Sequence, residues 1–271
     1  MNANVVAAYF TRIGYAGSTT PSLAVLGDIA AHHLRAIPFE SLGPFLGHGV
    51  DISPEGIFAK LVRSRRGGYC FEHNGLFHDV LATLGFRITP LAGRPIWGLP
   101  TDTPPRPLTH RMAEIDIGGD IYLADVGFGG QSPTAPLRLA PHAEQVTSHG
   151  IYRFLPHGEG FELQMHTSAG FAGLYRFTRA PQVAADYELG NWYTSSYPQG
   201  RFTQNLIAAI ATDQGRWTLM NRHVGFRRLD GTAEEREVTS ASELEGLLRT
   251  TFRIDPPVDA QIIWNKLPSV S

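Results

Sequence analysis

The sequence predicts an α+β protein: a helical first third, a strand-rich middle and a last third that mixes both. Three observations carry this. Up to about residue 85 the apolar residues recur at helical spacing. From Phe86 to about Phe177 they alternate with polar ones between many turn residues. Beyond that, strand patterns near Leu206–Ala211 and Trp217–Asn221 precede a helical one near Ala241–Phe252. The 271 residues fit one large domain or two to three subdomains around a sizeable core. With 29 Gly and 19 Pro the chain is turn-rich, not a helical array.

In chain order, Ser22 is a candidate cap for a helix carrying Leu23, Leu26, Ile29 and Ala30. A second helical pattern runs from Pro54 through Ile57, Phe58, Leu61 and Val62. After Cys70, Phe77, Val80, Leu81 and Leu84 fall at i, i+3, i+4 and i+7, and Gly85 suits the helix end. In the middle third Ala113, Ile115 and Ile117 alternate with Glu114 and Asp116, and Gly118-Gly119 reads as a hairpin turn. Ile121, Leu123 and Asp125 share one face of the returning strand. Residues 98–108 form a proline-rich loop before His110. Ser240 or Ser242 caps the helix near Ala241–Phe252.

Composition excludes several function classes. A net charge of −2, from 23 basic and 25 acidic residues with no basic block, gives nucleic-acid binding no support. The N-terminus lacks a basic region followed by an apolar core, so it does not read as a secretory signal. No apolar run approaches the ~18 residues of a membrane helix. The absence of cysteine pairs fits a cytoplasmic protein.

The single cysteine, Cys70, stands in the run Arg66-Gly67-Gly68-Tyr69-Cys70-Phe71-Glu72-His73-Asn74. A glycine turn there hands over to a helix N-terminus, whose dipole favours an anion such as a thiolate. The hairpin supplies partners. If Gly118-Gly119 are the central turn residues, Ile117 opposes Asp120, and Asp125 becomes the same-face diagonal neighbour of His110. A thiol, an imidazole and a carboxylate in that relation make a nucleophile, its proton acceptor and an orienting group. The alternative from spacing alone is a surface cross-strand pair. The other ten histidines show no HExxH spacing, a thiolate zinc site is excluded, and His73 reads as structural. Gly127-Phe128-Gly129-Gly130 follows a strand but lacks both the dinucleotide and the Walker spacing. It reads either as a plain turn or as exposed backbone N–H groups for an anion. Phe39, Glu40 and Phe202 read as core on pattern alone.

Four motifs together resemble the arylamine N-acetyltransferases of bacterial type. The Cys70 run resembles that family's active-site run, and Pro38-Phe39-Glu40 its P-F-E-N run, with Ser41 in place of Asn. Thr109-His110-Arg111 resembles its histidine segment, and Asp125-Val126-Gly127-Phe128-Gly129 its aspartate segment, in the same order and spacing. The resemblance implies an N-terminal helical bundle (residues 1–85) carrying the nucleophile, a β-rich, barrel-like middle domain (86–190) carrying His and Asp, and a C-terminal α/β lid (191–271), around a cysteine-protease-like core. It implies Cys70 as acetyl acceptor, His110 as base and Asp125 as orienter. Phe39, Thr109, Gly129 and Phe202 are implied near the acyl donor or the amine. No cofactor is permanently bound; acetyl-CoA is the co-substrate, with a small arylamine or hydrazine as its partner and neither nucleic acid nor membrane involved.

The implied function is ping-pong transfer of an acetyl group through acetyl-cysteine. The aromatic residues Phe39, Tyr69, Phe128 and Phe202 are expected around the cleft, where they favour flat acceptors by stacking. The rival readings are a thiol hydrolase or transglutaminase-like enzyme with the same triad, an amide synthase, and a binding protein with an inert cysteine.

Overall fold

A computed structural model describes residues 2–100 and 103–268. The first part is helical: α1 (Ala3–Ile13), α2 (Leu23–Ala36), a short strand β1 (Phe39–Glu40), α3 (Leu42–Leu46), α4 (Pro54–Phe58) running into a π-helical turn over 59–63, and α5 (Cys70–Thr83). Ser22 caps α2 by accepting from Val25 N, as its position before the apolar pattern implies. Gly85, at φ 92°, follows the end of α5. The shared core is Tyr9, Leu26, Ile29, Leu61, Leu76, Phe77, Val80 and Leu81, with Ala113, Ile115 and Ala124 from the neighbouring sheet.

That sheet has eight strands: β2 (Arg87–Pro95), β3 (His110–Ile117), β4 (Asp120–Ala124), β5 (Leu137–Arg138), β6 (Gln145–Thr147), β7 (Gly150–His157), β8 (Gly160–Thr167) and β9 (Gly170–Phe177). Their order is β5-β4-β3-β2-β9-β8-β7-β6. The sheet curls until its edges approach. The Gln145 side chain of β6 accepts from Arg138 N of β5 at 2.7 Å and donates to Arg138 O at 2.9 Å. The result is a nearly closed barrel, filled by Leu91, Met112, Leu123, Tyr152, Phe154, Leu163 and Leu174. Alternation on β3 explains its two faces: Ala113 and Ile115 meet the helices, Met112 the barrel interior.

The last part holds α6 (Ala184–Ser196), α7 (Arg201–Gln204), β10 (Ile207–Thr212), β11 (Gly215–Met220), β12 (His223–Arg228), β13 (Ala233–Glu237), α8 (Ala241–Gly246) with a π-helical turn over 247–251, and α9 (Ala260–Lys266). Of the two expected caps for α8, Ser240 makes the bond, accepting from Glu243 N. Its five-stranded sheet begins with β1, which pairs antiparallel with β10. The boundary expected between residues 190 and 191 falls inside α6.

Candidate active site

Crowding, more than turn geometry, explains the two glycines before Cys70. A Cβ at Gly67 would sit 2.2 Å from Pro38 O, and one at Gly68 2.6 Å from Glu72 Oε2. Neither has a positive φ. The turn is fixed to β1, where Glu40 N donates to Gly68 O at 2.7 Å. Glu72 then starts the helix by accepting from Tyr69 N at 3.0 Å. Burial raises the Glu72 pKa, and the Lys60 ammonium, 2.7 Å away, works against that rise.

Cys70 is the first residue of α5 and is 4% exposed. Its Sγ lies 3.5 Å from Thr109 O. The hairpin register is the expected one, with Ile117 opposite Asp120, although the ladder ends at Ala113 opposite Ala124. Past that point Asp125 swings onto His110: His110 Nε2 lies 2.7 Å from Asp125 Oδ2. With Nε2 so engaged, Nδ1 is the ring nitrogen left for the thiol. Phe128 and Tyr175 pack on the imidazole, with ring centroids 4.8 and 4.7 Å away.

Burial by itself would lower the His110 pKa; the Asp125 charge and hydrogen bond, and then the Cys70 sulfur, outweigh it and raise it to about 10. Burial pushes Asp125 up, but the His110 charge and bond, then Asn74 and Gly127 N, bring it below the usual carboxylate range. Its carboxylate is fully occupied. Oδ1 accepts from Asn74 Nδ2 and Gly127 N, both at 2.9 Å, and Oδ2 accepts from His110 and from Tyr175 Oη at 2.9 Å. This arrangement can hold a proton on the imidazole beside a sulfur, the state a thiolate nucleophile needs.

Gly127 allows the close approach of the Asp125 segment to α5, since a Cβ there would lie 2.8 Å from Cys70 Cα. Its N–H is taken by Asp125, so this amide is not offered to an anion. The buried Arg216 of β11 holds the following turn, donating to Gly130 O and, at 2.8 Å, to Ser132 O.

The residues singled out from sequence converge on a cleft of about 440 Å³, lined by Cys70, His110, Phe39, Thr109, Gly129 and Phe202. Phe128 also lines it, together with Trp97, Tyr193, Met220, Arg106 and Arg201, which sequence reasoning did not single out. Tyr69 is a correction: it is 1% exposed, packs against Phe71 and donates to Asn191, so it stays out of the cleft lining. Glu40 is core as read, bonded to Leu42 N and Arg66. Ser41 ties β1 to β10, donating to Asn205 O at 3.1 Å and accepting from Ile207 N at 2.9 Å. His73 is structural as read: its ring bridges His33 at 2.8 Å and Pro38 O at 3.1 Å.

Asn74 and Tyr175 were missed. Asn74 follows Cys70 by one helical turn, and that spacing was available as a signal. Tyr175 reaches Asp125 from β9, far along the chain, with no local mark. Part of the proline-rich loop, Thr101 and Asp102, lies outside the described residues. Among the described residues no cluster suited to a metal and no helix able to cross a membrane occurs.

The fold, with its cleft lined by Cys70 and His110, is that of an acyltransferase. A family profile described as N-acetyltransferase matches residues 22–261. The arylamine N-acetyltransferase of Mycobacterium tuberculosis is 44% identical over 243 residues, 89% of this chain and 86% of that protein. The solved structure of that organism's enzyme superposes with a TM-score of 0.92 at 41% identity, covering 96% of this chain and 99% of its own. A Mycobacterium marinum arylamine N-acetyltransferase in complex with CoA gives 0.89 at 40% identity, covering 92% of each chain. The chain belongs to the arylamine N-acetyltransferase family.

Proposed function

We propose that this chain transfers an acetyl group from acetyl-CoA to the nitrogen of an arylamine or aryl hydrazine, in two covalent steps through Cys70. The observation that carries the reading is Cys70 and His110 on the wall of the cleft, with Asp125 2.7 Å behind His110. In the first step Cys70 Sγ attacks the thioester carbonyl carbon. The bond to the CoA sulfur breaks, and CoA leaves as a thiol with the proton that His110 holds. In the second step the amine nitrogen attacks the acetyl-cysteine carbonyl. The bond to Sγ breaks, and His110 takes the nitrogen's proton. The raised pKa of His110 suits this cycle, because the imidazole keeps its proton at neutral pH between turnovers.

The cleft lining supports the choice of substrates. Phe39, Phe128, Phe202 and Trp97 offer flat apolar surface for an aryl ring and keep water from the acetyl-enzyme. Thr109 and Gly129 lie where the acyl group would sit, and Gly129 (φ 69°) brings bare backbone against the Phe39 ring. Arg106 and Arg201 line the same cleft, while no Asp or Glu does so among the described residues. That positive field suits the phosphates of CoA and disfavours an alkylammonium acceptor. Acetyl-CoA acts here as a co-substrate, and a single working thiol suits a reducing cytoplasm.

Incubation with acetyl-CoA followed by intact-mass analysis tests the reading. One acetyl adduct should form, map to Cys70 and disappear when aniline is added. An adduct at another residue, or none, overturns the covalent mechanism.

A further inference from the structure

A second cavity, of about 640 Å³, shares no lining residue with the cleft. It lies where four helical segments end: α1 at Gly14, α2 at Ala36, the π-helical turn of 59–63 before Ser64 and Arg65, and that of 247–251 before Arg253. Four arginines line it (Arg12, Arg65, Arg249 and Arg253) against one carboxylate, Asp255. Arg249 is neutralised by Glu245, at 3.0 Å, and by Asp255. The other three have no carboxylate within 4.0 Å among the described residues.

Part of this cluster has an internal explanation. Arg12, 8% exposed, donates to Leu61 O at 3.0 Å, Ala36 O at 2.7 Å and Arg65 O at 3.4 Å. Arg253 donates to Arg35 O at 3.0 Å. Both therefore answer the carbonyl ends of helices. Arg65 does not: its side chain is exposed and makes no hydrogen bond among the described residues. Moreover, Arg65 and Arg253 hold left-handed backbones, at φ 52° and 56°. Such conformations cost energy in a residue with a Cβ and persist where the surroundings impose them. Arg12 also carries a mark of the local field. Burial, then the charges of Arg65 and Arg253, lower its pKa to about 10. The charges of Arg65 and Arg253 thus bear on Arg12 around a space large enough for a counter-ion.

We propose that this cavity binds a small phosphate-bearing anion. A monocarboxylate offers one charge and two oxygens. A phosphate ester or a diphosphate offers at least two charges and three oxygens, and guanidinium forks match that geometry. The anion would join Arg12 and Arg65 of the helical part to Arg253 of the C-terminal segment, and so clamp the two ends of the chain.

Calorimetric titration of the full-length protein with sodium pyrophosphate, at constant ionic strength, provides the test. A sugar phosphate forms a second arm, to tell an inorganic from an organic source. Saturable binding at one site is expected. Arg65→Asn, which keeps a residue tolerant of the left-handed backbone, should weaken it about tenfold or more while leaving the anion-free melting temperature unchanged. Arg253→Asn should weaken it independently, so the test survives if one variant folds poorly. Absence of saturable binding by either probe at millimolar concentration overturns the site. Equal binding by parent and both variants, or heats that follow ionic strength alone, would mark an adventitious ion only and overturn it equally.

Discussion

Asp125 illustrates how much one side chain can carry. Four donors fill its carboxylate: His110, Tyr175, Asn74 and the Gly127 amide. Asparagine keeps the shape but presents an NH₂ to donors and removes the charge that holds the imidazolium. Asp125→Asn should therefore lower acetyl transfer severely. The serine-protease template loses ~10⁴-fold on the equivalent change. Iodoacetamide labelling of Cys70 should slow in the same variant at neutral pH. If labelling keeps the parent rate, Asp125 is only structural. At the thiol itself, Cys70→Ala should abolish transfer with the fold intact, and Cys70→Ser should be nearly as inactive, because a hydroxyl is a poorer nucleophile and leaving group here. Substantial acetyl transfer by either variant in a CoA-release assay would sink the covalent route. The His110–Asp125 pair was legible in the sequence because its information is local, a hairpin that folds His110 back onto Asp125; the place of Cys70 beside it came from the motif resemblance. Tyr175 was not legible, since only the curling of the barrel brings β9 to Asp125.

At the scale of elements, two close packings govern the site. The first is between α5 and the segment after β4. A Cβ on Gly127 would press on Cys70 Cα, at 2.8 Å, and on Asn74 Nδ2, at 2.7 Å. Gly127→Ala should push these elements apart. Overpacking of this kind costs about 1–3 kcal/mol, and since the shift separates Cys70 from His110, transfer should fall more steeply than denaturation midpoints do. Parent-like kinetics with a parent-like midpoint would show that the segment yields freely. The second packing joins α1, α2 and α5 through Tyr9 Oη, His33 and His73, each link 2.8 Å long. Pro38 O can only accept, so His73 Nε2 donates to it and both rings fit as neutral imidazoles. Burial lowers both pKa values, that of His73 to about 4. Between pH 6.5 and about 4 the unfolded chain therefore binds protons that the folded chain refuses. Stability should fall across that window as pH falls, by about 3 kcal/mol for His73 alone. Urea unfolding at a series of pH values measures it, and His73→Gln should flatten the slope whatever it does to stability at neutral pH. Elements were legible where burial leaves a periodic stripe, as in α2 and α5. In β13 every residue is exposed and the run Ala-Glu-Glu-Arg-Glu carries no alternation, so it was missed. In α6 the exposed Leu189 and Trp192 disrupt the stripe that marks a buried face.

For the molecule as a whole, function depends on parts drawn from the entire chain. Phe39 belongs to the first third by sequence but to the last sheet by pairing, opposite Ala209, and its ring centroid lies 5.8 Å from that of Phe202. The cleft is thus walled by residues no single segment contains, which is why the His110–Asp125 pair could be read locally and the walls of the cleft could not. On the proposed reading the same walls set acceptor choice. A net charge of −2 spread over the chain gives way in the cleft to two arginines and no acid among the described residues. An arylamine reaches neutral pH unprotonated, enters an apolar slot at little desolvation cost and attacks at once. An alkylammonium must lose a proton first and meets like charge on the way. Anilines and aryl hydrazides should consume the acetyl-enzyme far faster than lysine or water. Phe39→Ala should narrow that preference if its ring lines the acceptor slot, and should mainly lower stability if the ring is only core. Rates of CoA release over a panel of amines, with the parent and with Phe39→Ala, separate these outcomes. A preference for lysine side chains would overturn the arylamine reading and put a transglutaminase-like reaction in its place.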